Sequence, residues 1–310
     1  DVELFAGRLP VGQKVIAIGM FRRLVTPWAD LILPGTSYLE RDGTYVNLEG
    51  RLQRIRRAAI PPAPDEVAVL SRLAERFDVE NPATGSIIAS VPRGSTDDAD
   101  RAVEAAYQAQ PGWEGMPPIA RAQLLKDLAR LILENRERLA QQVIAEQGKP
   151  LSEARGEIEG AALYLSYAAE EARRITGDII PSDNPDEQIW IQRVAHGVVI
   201  ALTAWNYPAG LMCRKMGPAL LAGNTVVIKS HEGTPTTALE IAQLSAQLGF
   251  PRGVINVVSG TGETMGTALV KHPLSRLITM TGSVRAGRAI FRDAADDLKV
   301  LRLELGGKAP

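Results

Sequence analysis

The chain has 310 residues, of which 45% are hydrophobic and 23% are charged, and its formal net charge at pH 7 is −1. This composition is that of a globular protein of about two domains, and it excludes disordered, collagen-like and disulfide-rich classes. The charge balance argues against a nucleic-acid partner, no apolar run approaches the ~20 residues that span a membrane, and one cysteine with three histidines cannot assemble a zinc site. We therefore expect a cytoplasmic protein without a resident metal.

Residues 1–77 have a less regular pattern of apolar and polar residues than the rest of the chain. Apolar runs at 14–21 and 29–33 predict short strands, and helical spacing of apolar residues at 65–77 predicts a short helix. The basic run at 51–57 could attract anions, although a solvated charged surface is the more common outcome. We expect a small, incomplete α/β segment here.

From about residue 78 the pattern becomes regular. Helices are predicted at 96–108, where the run Ser95-Thr96-Asp97-Asp98 supplies capping oxygens and first-turn acids, at 119–147 and at 151–174. Residues 177–195 are polar and partly alternating, which predicts a hairpin.

The remainder alternates between strands and helices. Apolar runs of strand length lie at 197–203, 224–229, 253–258, 277–281 and 300–305. Helices are predicted between them at 209–222, 236–248, 262–271 and 284–295. Such repeats are βαβ units, so we expect an α/β fold with a Rossmann-like parallel sheet, helices on both faces and ligands at the carboxyl ends of the strands.

Glycine turns follow two of these predicted strands. Gly262 and Gly266 come after the strand at 253–258, and Gly282 opens a similar turn after the strand at 277–281. Glycines let a backbone approach a pyrophosphate, so two adjacent turns favour a nucleotide site. Tight turns without a ligand are the alternative.

Polar side chains lie at or just after the carboxyl ends of other predicted strands. Lys229 and Glu232 could hold ribose hydroxyls, with the carboxylate favouring NAD over NADP, although a solvated ion pair explains the spacing equally well. Asn206 could donate to a developing oxyanion, whereas a turn asparagine is more common. Glu304 could be a general base or simply an exposed residue. Cys213 lies on an apolar helix, so we expect a buried, inert thiol.

Together, several motifs resemble the aldehyde dehydrogenase superfamily from residue 78 to residue 310. They are Trp205-Asn206-Tyr207-Pro208, residues 215–220, residues 223–229, Thr281-Gly282-Ser283 and residues 303–310. The resemblance implies a cofactor-binding domain and NAD, with NADP the lesser candidate. It also implies oxidation of a small aldehyde to a carboxylic acid through a thiohemiacetal and a thioester. Lactaldehyde and glycolaldehyde dehydrogenases are the most similar branch.

The resemblance assigns roles residue by residue. Asn206 would be the oxyanion-hole amide, Glu304 the general base, and Lys215 a residue that helps shape the catalytic site. The cofactor would be held by Thr203, Ala204, Trp205, Lys229, Glu232, Gly262, Gly266, Thr281, Gly282, Ser283, Gly287 and Leu305. Residues 177–195 would begin the element through which full-length members form homo-oligomers.

The nucleophilic cysteine of that family lies beyond position 310, in a catalytic domain that is missing from this sequence. Because the chain also starts without methionine and stops just after a predicted strand, we expect a fragment that is inactive alone. The alternative is a non-catalytic nucleotide-binding or subunit-interaction module.

Residues 1–77 resemble a fragment of a different family. The stretches at 29–35 and 40–53 are similar to molybdopterin oxidoreductases, in particular to the large iron–sulfur subunit of NADH-quinone oxidoreductase. This part has no cysteine to hold a cluster. We therefore expect two joined fragments rather than one two-domain enzyme.

Overall fold

The computed structural model describes residues 76–307 without a gap and, before them, four short strands. These are β1 (Ile16–Gly19), β2 (Leu31–Pro34), β3 (Gly43–Val46) and β4 (Leu52–Ile55). Residues Asp1–Glu75 and Arg76–Pro310 form two compact units. The division predicted at residue 77 stays a prediction.

The described residues of the first unit form two strand pairs. β1 pairs with β2 in parallel, and β3 pairs with β4 in antiparallel fashion. β1 lies within the strand predicted at 14–21, and β2 overlaps the strand predicted at 29–33 and ends one residue after it. The side chains of the basic run at 51–57 lie outside the described residues, as does most of the helix predicted at 65–77.

The second unit opens with a hairpin of β5 (Arg76–Glu80) and β6 (Ile87–Pro92). Phe77 lies in β5 and pairs with Val91, so the helical assignment of this residue is wrong. The reason is visible in the burial pattern: Val79 is fully buried and Phe77 partly buried, while their neighbours are exposed, which is the period of a strand.

Four helices follow: α1 (Thr96–Glu114), α2 (Pro118–Glu134), α3 (Arg136–Gln147) and α4 (Leu151–Glu170). Ser95 caps α1 as predicted, because its side chain accepts a hydrogen bond from the Asp98 backbone. The helix continues past residue 108 to Glu114, with Pro111 inside it. α4 ends at Glu170 and a single 3₁₀ turn follows, so its predicted end at 174 is wrong.

The single helix predicted at 119–147 is also wrong, because α2 and α3 are separated at Asn135. The Asn135 side-chain amide donates to the Leu131 carbonyl at 2.9 Å, and its backbone N–H is directed at the same turn. Asparagine competes in this way with the regular helical hydrogen bonds. Apolar spacing continues through the break, which is why periodicity alone does not detect it.

An exposed hairpin of β7 (Asp178–Pro181) and β8 (Gln188–Ile191) follows, within the predicted range 177–195. Every residue of both strands is exposed, including Ile179 and Trp190.

The rest of the unit is a five-stranded parallel sheet with the order β11-β10-β9-β12-β13. Its strands are β9 (Val198–Leu202), β10 (Thr225–Lys229), β11 (Ile255–Val258), β12 (Ser275–Gly282) and β13 (Val300–Leu305). Its helices are α5 (Pro208–Leu221), α6 (Thr236–Ser245), α7 (Thr267–Lys271), which a π turn at Gly262–Gly266 precedes, and α8 (Val284–Ala295). The predicted Rossmann-like parallel sheet is confirmed.

Alternate residues of the central strand enter two different cores. Val199 and Ala201 of β9 pack in the core that contains α2 to α6, whereas Val198 and Ile200 pack in the core with α1, α7 and α8. The sheet is thus covered on both faces. None of the helices in the described part combines the length and apolar character of a membrane-spanning segment.

The strand order also locates the crevice of the sheet. From β9 the chain moves outward through β10 to β11, and then returns to the other side of β9 at β12. The carboxyl ends of β9 and β12 therefore flank the point where the strand order reverses, which is where open α/β sheets bind ligands.

Candidate functional site

The exit of β10 holds a lysine and a glutamate in contact. Lys229 is buried, and its Nζ donates to Glu232 Oε2 at 3.0 Å. The Glu232 side chain is 41% exposed, so its carboxylate faces both the lysine and the solvent. Burial alone would raise the pKa of Glu232, but the charge and hydrogen bond of Lys229 outweigh it and hold that pKa below its usual value. The pair thus offers a cationic donor and an anionic acceptor side by side.

Buried hydroxyl groups at the same edge lack partners. Thr203 Oγ1 after β9, and Ser230 Oγ and Thr234 Oγ1 after β10, find no hydrogen-bond partner within the described part of the chain. A buried hydroxyl without a partner costs free energy, so native structures rarely keep one without a reason. This edge of the sheet therefore has unused hydrogen-bonding capacity.

The loop after β9 carries Asn206, and Lys149 contacts two residues of this loop. The Lys149 ammonium donates to the Asn206 carbonyl at 2.9 Å and lies 3.9 Å from the centre of the Tyr207 ring. Lys149 also contacts Glu157 at 2.5 Å, and the Glu157 carboxylate accepts from the Ala209 backbone at 2.8 Å. These contacts leave the side chains of Trp205 and Asn206 at the surface.

The glycine turn after β11 is open at Gly262. This glycine is exposed and a Cβ atom added to it would meet nothing within 4 Å, whereas Gly266 is buried. The hydroxyl of Thr261 accepts from the Thr264 backbone at 3.2 Å and so caps the π turn that contains both glycines. A phosphate group of a ligand could therefore approach the protein backbone closely at this turn.

Residues at the exit of β12 have identifiable structural roles. Ser283 caps α8, because its Oγ accepts from the Ala286 backbone at 3.2 Å. A Cβ on Gly287 would lie 2.6 Å from a Leu305 methyl group, so this glycine lets α8 pack closely on β13. Thr281 and Gly282 end β12. Cofactor contacts of these residues, and of Ala204, stay predictions.

Two of the predicted catalytic residues meet in one cavity of about 390 Å³, on the face of β9, β12 and β13 next to α5. Lys215 and Glu304 line it together with Arg214 and Thr279. Lys215 Nζ donates to Thr279 Oγ1 at 3.1 Å, and an Arg214 nitrogen lies 3.3 Å from Glu304 Oε1. Asn206 is in the β9–α5 loop and not among the residues that line this cavity.

Burial lowers the pKa of Lys215 to about 8. The negative charge of Glu304 opposes this shift, and the positive charge of Arg214 adds to it. Lys215 is therefore a partly neutral amine near physiological pH.

Cys213 points away from this cavity into the core and is fully buried. Burial raises the pKa of its thiol, and the charge of Glu157 raises it further. As expected, this cysteine is buried and inert rather than a reactive thiolate. Within the described residues, no group of three or more histidine, cysteine, aspartate and glutamate side chains is placed to hold a metal.

Sequence reasoning did not identify the Lys149–Glu157 pair. A signal was available, because Glu157 lies on the face of α4 that also carries Ala154, Ile158 and Ala161, all of which are buried. A carboxylate on an apolar helix face needs a partner, and Lys149 in the preceding turn is within reach.

Residues 69–310 match the aldehyde dehydrogenase family. The chain belongs to the aldehyde dehydrogenase family. Residues 22–76 match a second family, molybdopterin oxidoreductase.

Individual relatives support the same assignment. The 3,6-anhydro-alpha-L-galactose dehydrogenase of Vibrio sp. (strain EJY3) is 45% identical over 75% of this chain and 48% of its own length. The succinate-semialdehyde dehydrogenase (NADP(+)) of Escherichia coli (strain K12) is 42% identical over 76% of this chain and 49% of its own. A crystal structure of lactaldehyde dehydrogenase from Escherichia coli superposes with a TM-score of 0.75, at 44% identity over 76% of this chain and 49% of that one. This chain spans about half the length of these aldehyde dehydrogenases.

Proposed function

We propose that residues 78–310 are the cofactor-binding domain of an NAD-dependent aldehyde dehydrogenase, an oxidoreductase that converts a small aldehyde to a carboxylic acid. The observation that carries the choice of NAD is the contact between Lys229 and Glu232 at the exit of β10. A carboxylate at this position accepts from ribose hydroxyls and repels the additional phosphate of NADP. The family alone does not decide, because two succinate-semialdehyde dehydrogenases among the relatives are named as NADP(+) enzymes.

The residues at this edge fit the cofactor. The half-exposed Glu232 carboxylate and the Lys229 ammonium suit the adenosine ribose, and the open space over Gly262 suits a pyrophosphate. The unpartnered hydroxyls of Thr203 and Ser230 supply further hydrogen-bonding capacity. Trp205 and Thr281 flank the crevice from the ends of β9 and β12. When bound, NAD would accept a hydride from the substrate.

The catalytic groups divide between two places. We assign the Asn206 side-chain amide to the developing oxyanion, with Lys149 positioning its loop. Glu304 is the general base that removes a proton from water, and Lys215 shapes the cavity beside it. Because Cys213 is buried, the thiolate that covalent catalysis requires would belong to the part of the relatives that this chain does not span.

The family and the exposed hairpin support proposals for the aldehyde substrate and for the oligomeric assembly. The relatives are named for different aldehydes at nearly equal identity, and our choice within them is the lactaldehyde and glycolaldehyde branch. The exposed apolar side chains of the β7–β8 hairpin, among them Ile179 and Trp190, support assembly into a homo-oligomer.

Residues 1–77 would derive from the large subunit of an NADH-quinone oxidoreductase. A free cysteine fits a reducing cytoplasm.

Calorimetric titration of the purified 310-residue chain with NAD and with NADP tests the assignment. Saturable binding of NAD, tighter than that of NADP, is expected, and Glu232→Gln should reduce this preference. Glu134→Gln is the matched control, because Glu134 is also paired with a cation, Arg130, but lies on α2. Binding of neither nucleotide by a folded chain would favour the interaction-module alternative, and tighter binding of NADP would refute the role of Glu232.

A further inference from the structure

The cavity beside α5 holds an amine in an unusual environment. Lys215 is only 9% exposed, and its Nζ is oriented by a hydrogen bond to Thr279 Oγ1 rather than by a carboxylate. The charged groups that line the cavity are Arg214 of α5 and Arg302 and Glu304 of β13. Arg214 and Glu304 are each about half exposed, so the cavity has charged groups in contact with solvent at its edge.

The other buried lysines of the described part differ from Lys215. Each lies within 3.2 Å of a carboxylate oxygen, in the pairs Lys149–Glu157, Lys229–Glu232 and Lys299–Asp297. A carboxylate contact favours the charged ammonium, which has no lone pair to donate. Within the described residues, Lys215 makes no such contact, although the charge of Glu304 favours its ammonium form more than the charge of Arg214 opposes it. Desolvation of the Lys215 side chain is therefore the main effect, and desolvation is one of the arrangements that activate a lysine as a nucleophile.

The size of this effect follows from the shift already described. With a pKa of about 8 instead of 10.5, roughly one Lys215 amine in ten is neutral at pH 7, about 300 times the fraction for an ordinary lysine. The cavity volume of about 390 Å³ also lies within the range of small-molecule sites.

We propose that Lys215 captures small aldehydes covalently, as an imine, in the cavity between α5 and strands β12 and β13. The Nζ lone pair attacks the carbonyl carbon to form a C–N bond while the C=O π bond breaks, and one proton passes from nitrogen to the carbonyl oxygen. That oxygen then leaves as water with the second proton of the nitrogen, and the C=N bond forms. No oxidant or reductant is consumed. The reaction needs neither a nucleotide nor a thiol, so it is independent of the proposed oxidation.

Reductive trapping measures the capture at each lysine. The purified chain is treated at pH 7 with propanal and sodium cyanoborohydride, which reduces the imine to a stable secondary amine, and the peptides are quantified by mass spectrometry. Lys271 is the reference, because it is 58% exposed and paired with Asp293. We expect Lys215 to be alkylated about tenfold faster or more, a margin that allows for slower access to a buried amine.

Two arginine variants separate amine reactivity from access to the cavity. Arg214→Gln removes the neighbouring cation and should slow alkylation of Lys215. Arg302→Gln changes another arginine of the same cavity and should leave the rate unchanged, provided that circular dichroism shows both variants folded. In the unchanged chain, the rate at Lys215 should stop rising above about pH 8. Alkylation of Lys215 no faster than Lys271, or an Arg214→Gln rate equal to that of the unchanged chain, would overturn the proposal.

Discussion

Replacement of Lys149 by methionine tests whether the buried ion pair anchors the Asn206 loop. Methionine keeps most of the length of the side chain but leaves the Glu157 carboxylate without its cation. The Glu157 side chain is fully buried and that of Lys149 is 9% exposed, so solvent cannot replace the lost partner. The remaining hydrogen bonds to Glu157 come from the Ala209 and Gly210 backbones, at 2.8 and 3.1 Å.

The expected loss is large because an unpaired charge stays buried. Removing one partner of a buried pair costs about 3–5 kcal/mol, and the two retained backbone donors place this case near the lower value, about 3 kcal/mol. Combining Lys149→Met with Glu157→Gln should regain part of the loss, because a neutral amide costs less to bury than a carboxylate.

Urea unfolding followed by circular dichroism provides the measurement. With the usual dependence of stability on urea, a loss of about 3 kcal/mol lowers the midpoint by about 1 M or more. Arg130→Met is the control, because Arg130 pairs with Glu134 at 2.7 Å on an exposed surface and should cost less than about 1 kcal/mol. If Lys149→Met costs no more than this control, the reasoning from burial is refuted.

Two further predictions concern a buried acid and a glycine. Glu146 accepts backbone hydrogen bonds from the first turn of α6, and burial, only partly offset by these bonds, raises its pKa above 4.5. The folded state therefore holds this proton more tightly than the unfolded state, so stability relative to Glu146→Gln should be greatest below pH 4.5 and fall as the pH rises through the raised pKa. A pH-independent difference in urea midpoints would contradict this. Gly253→Ala should cost about 2 kcal/mol or more, because φ is +86° and the new Cβ would overlap the Ala105 carbonyl, whereas Gly156→Ala in α4 meets open space and should not destabilise.

The sheet was predictable because its signal is local and repeated. Each strand from β9 to β13 is a short apolar run bounded by turn residues, and each lies within two residues of the predicted range. Breaks inside helices were not predictable from the same signal. Asn135 interrupts an apolar period that continues on both sides, and at this break its side-chain amide and its backbone N–H both donate to the Leu131 carbonyl.

The edge of the sheet could be predicted for a similar reason. Parallel strands place their carboxyl ends together, so residues after β9, β10 and β12 were expected near one another whatever the packing of the helices. The cavity could not be predicted in this way. It depends on which side of α5 faces β12 and β13, and the sequence around Lys215 does not show which of its neighbours share that side.

The three consecutive residues 213–215 show what the fold adds to the sequence. Successive helical residues turn by about 100°, so Cys213, Arg214 and Lys215 point in different directions from α5. Cys213 enters the core, where burial raises the pKa of its thiol, and Arg214 reaches Glu304 at the surface. Lys215 enters the cavity, where burial lowers the pKa of its amine. Desolvation disfavours the charged form of both buried groups. It therefore lowers the fraction of reactive thiolate at Cys213 and raises the fraction of reactive neutral amine at Lys215. We therefore expect Lys215 rather than Cys213 to react with aldehydes, although a free thiol is ordinarily the stronger nucleophile of the two.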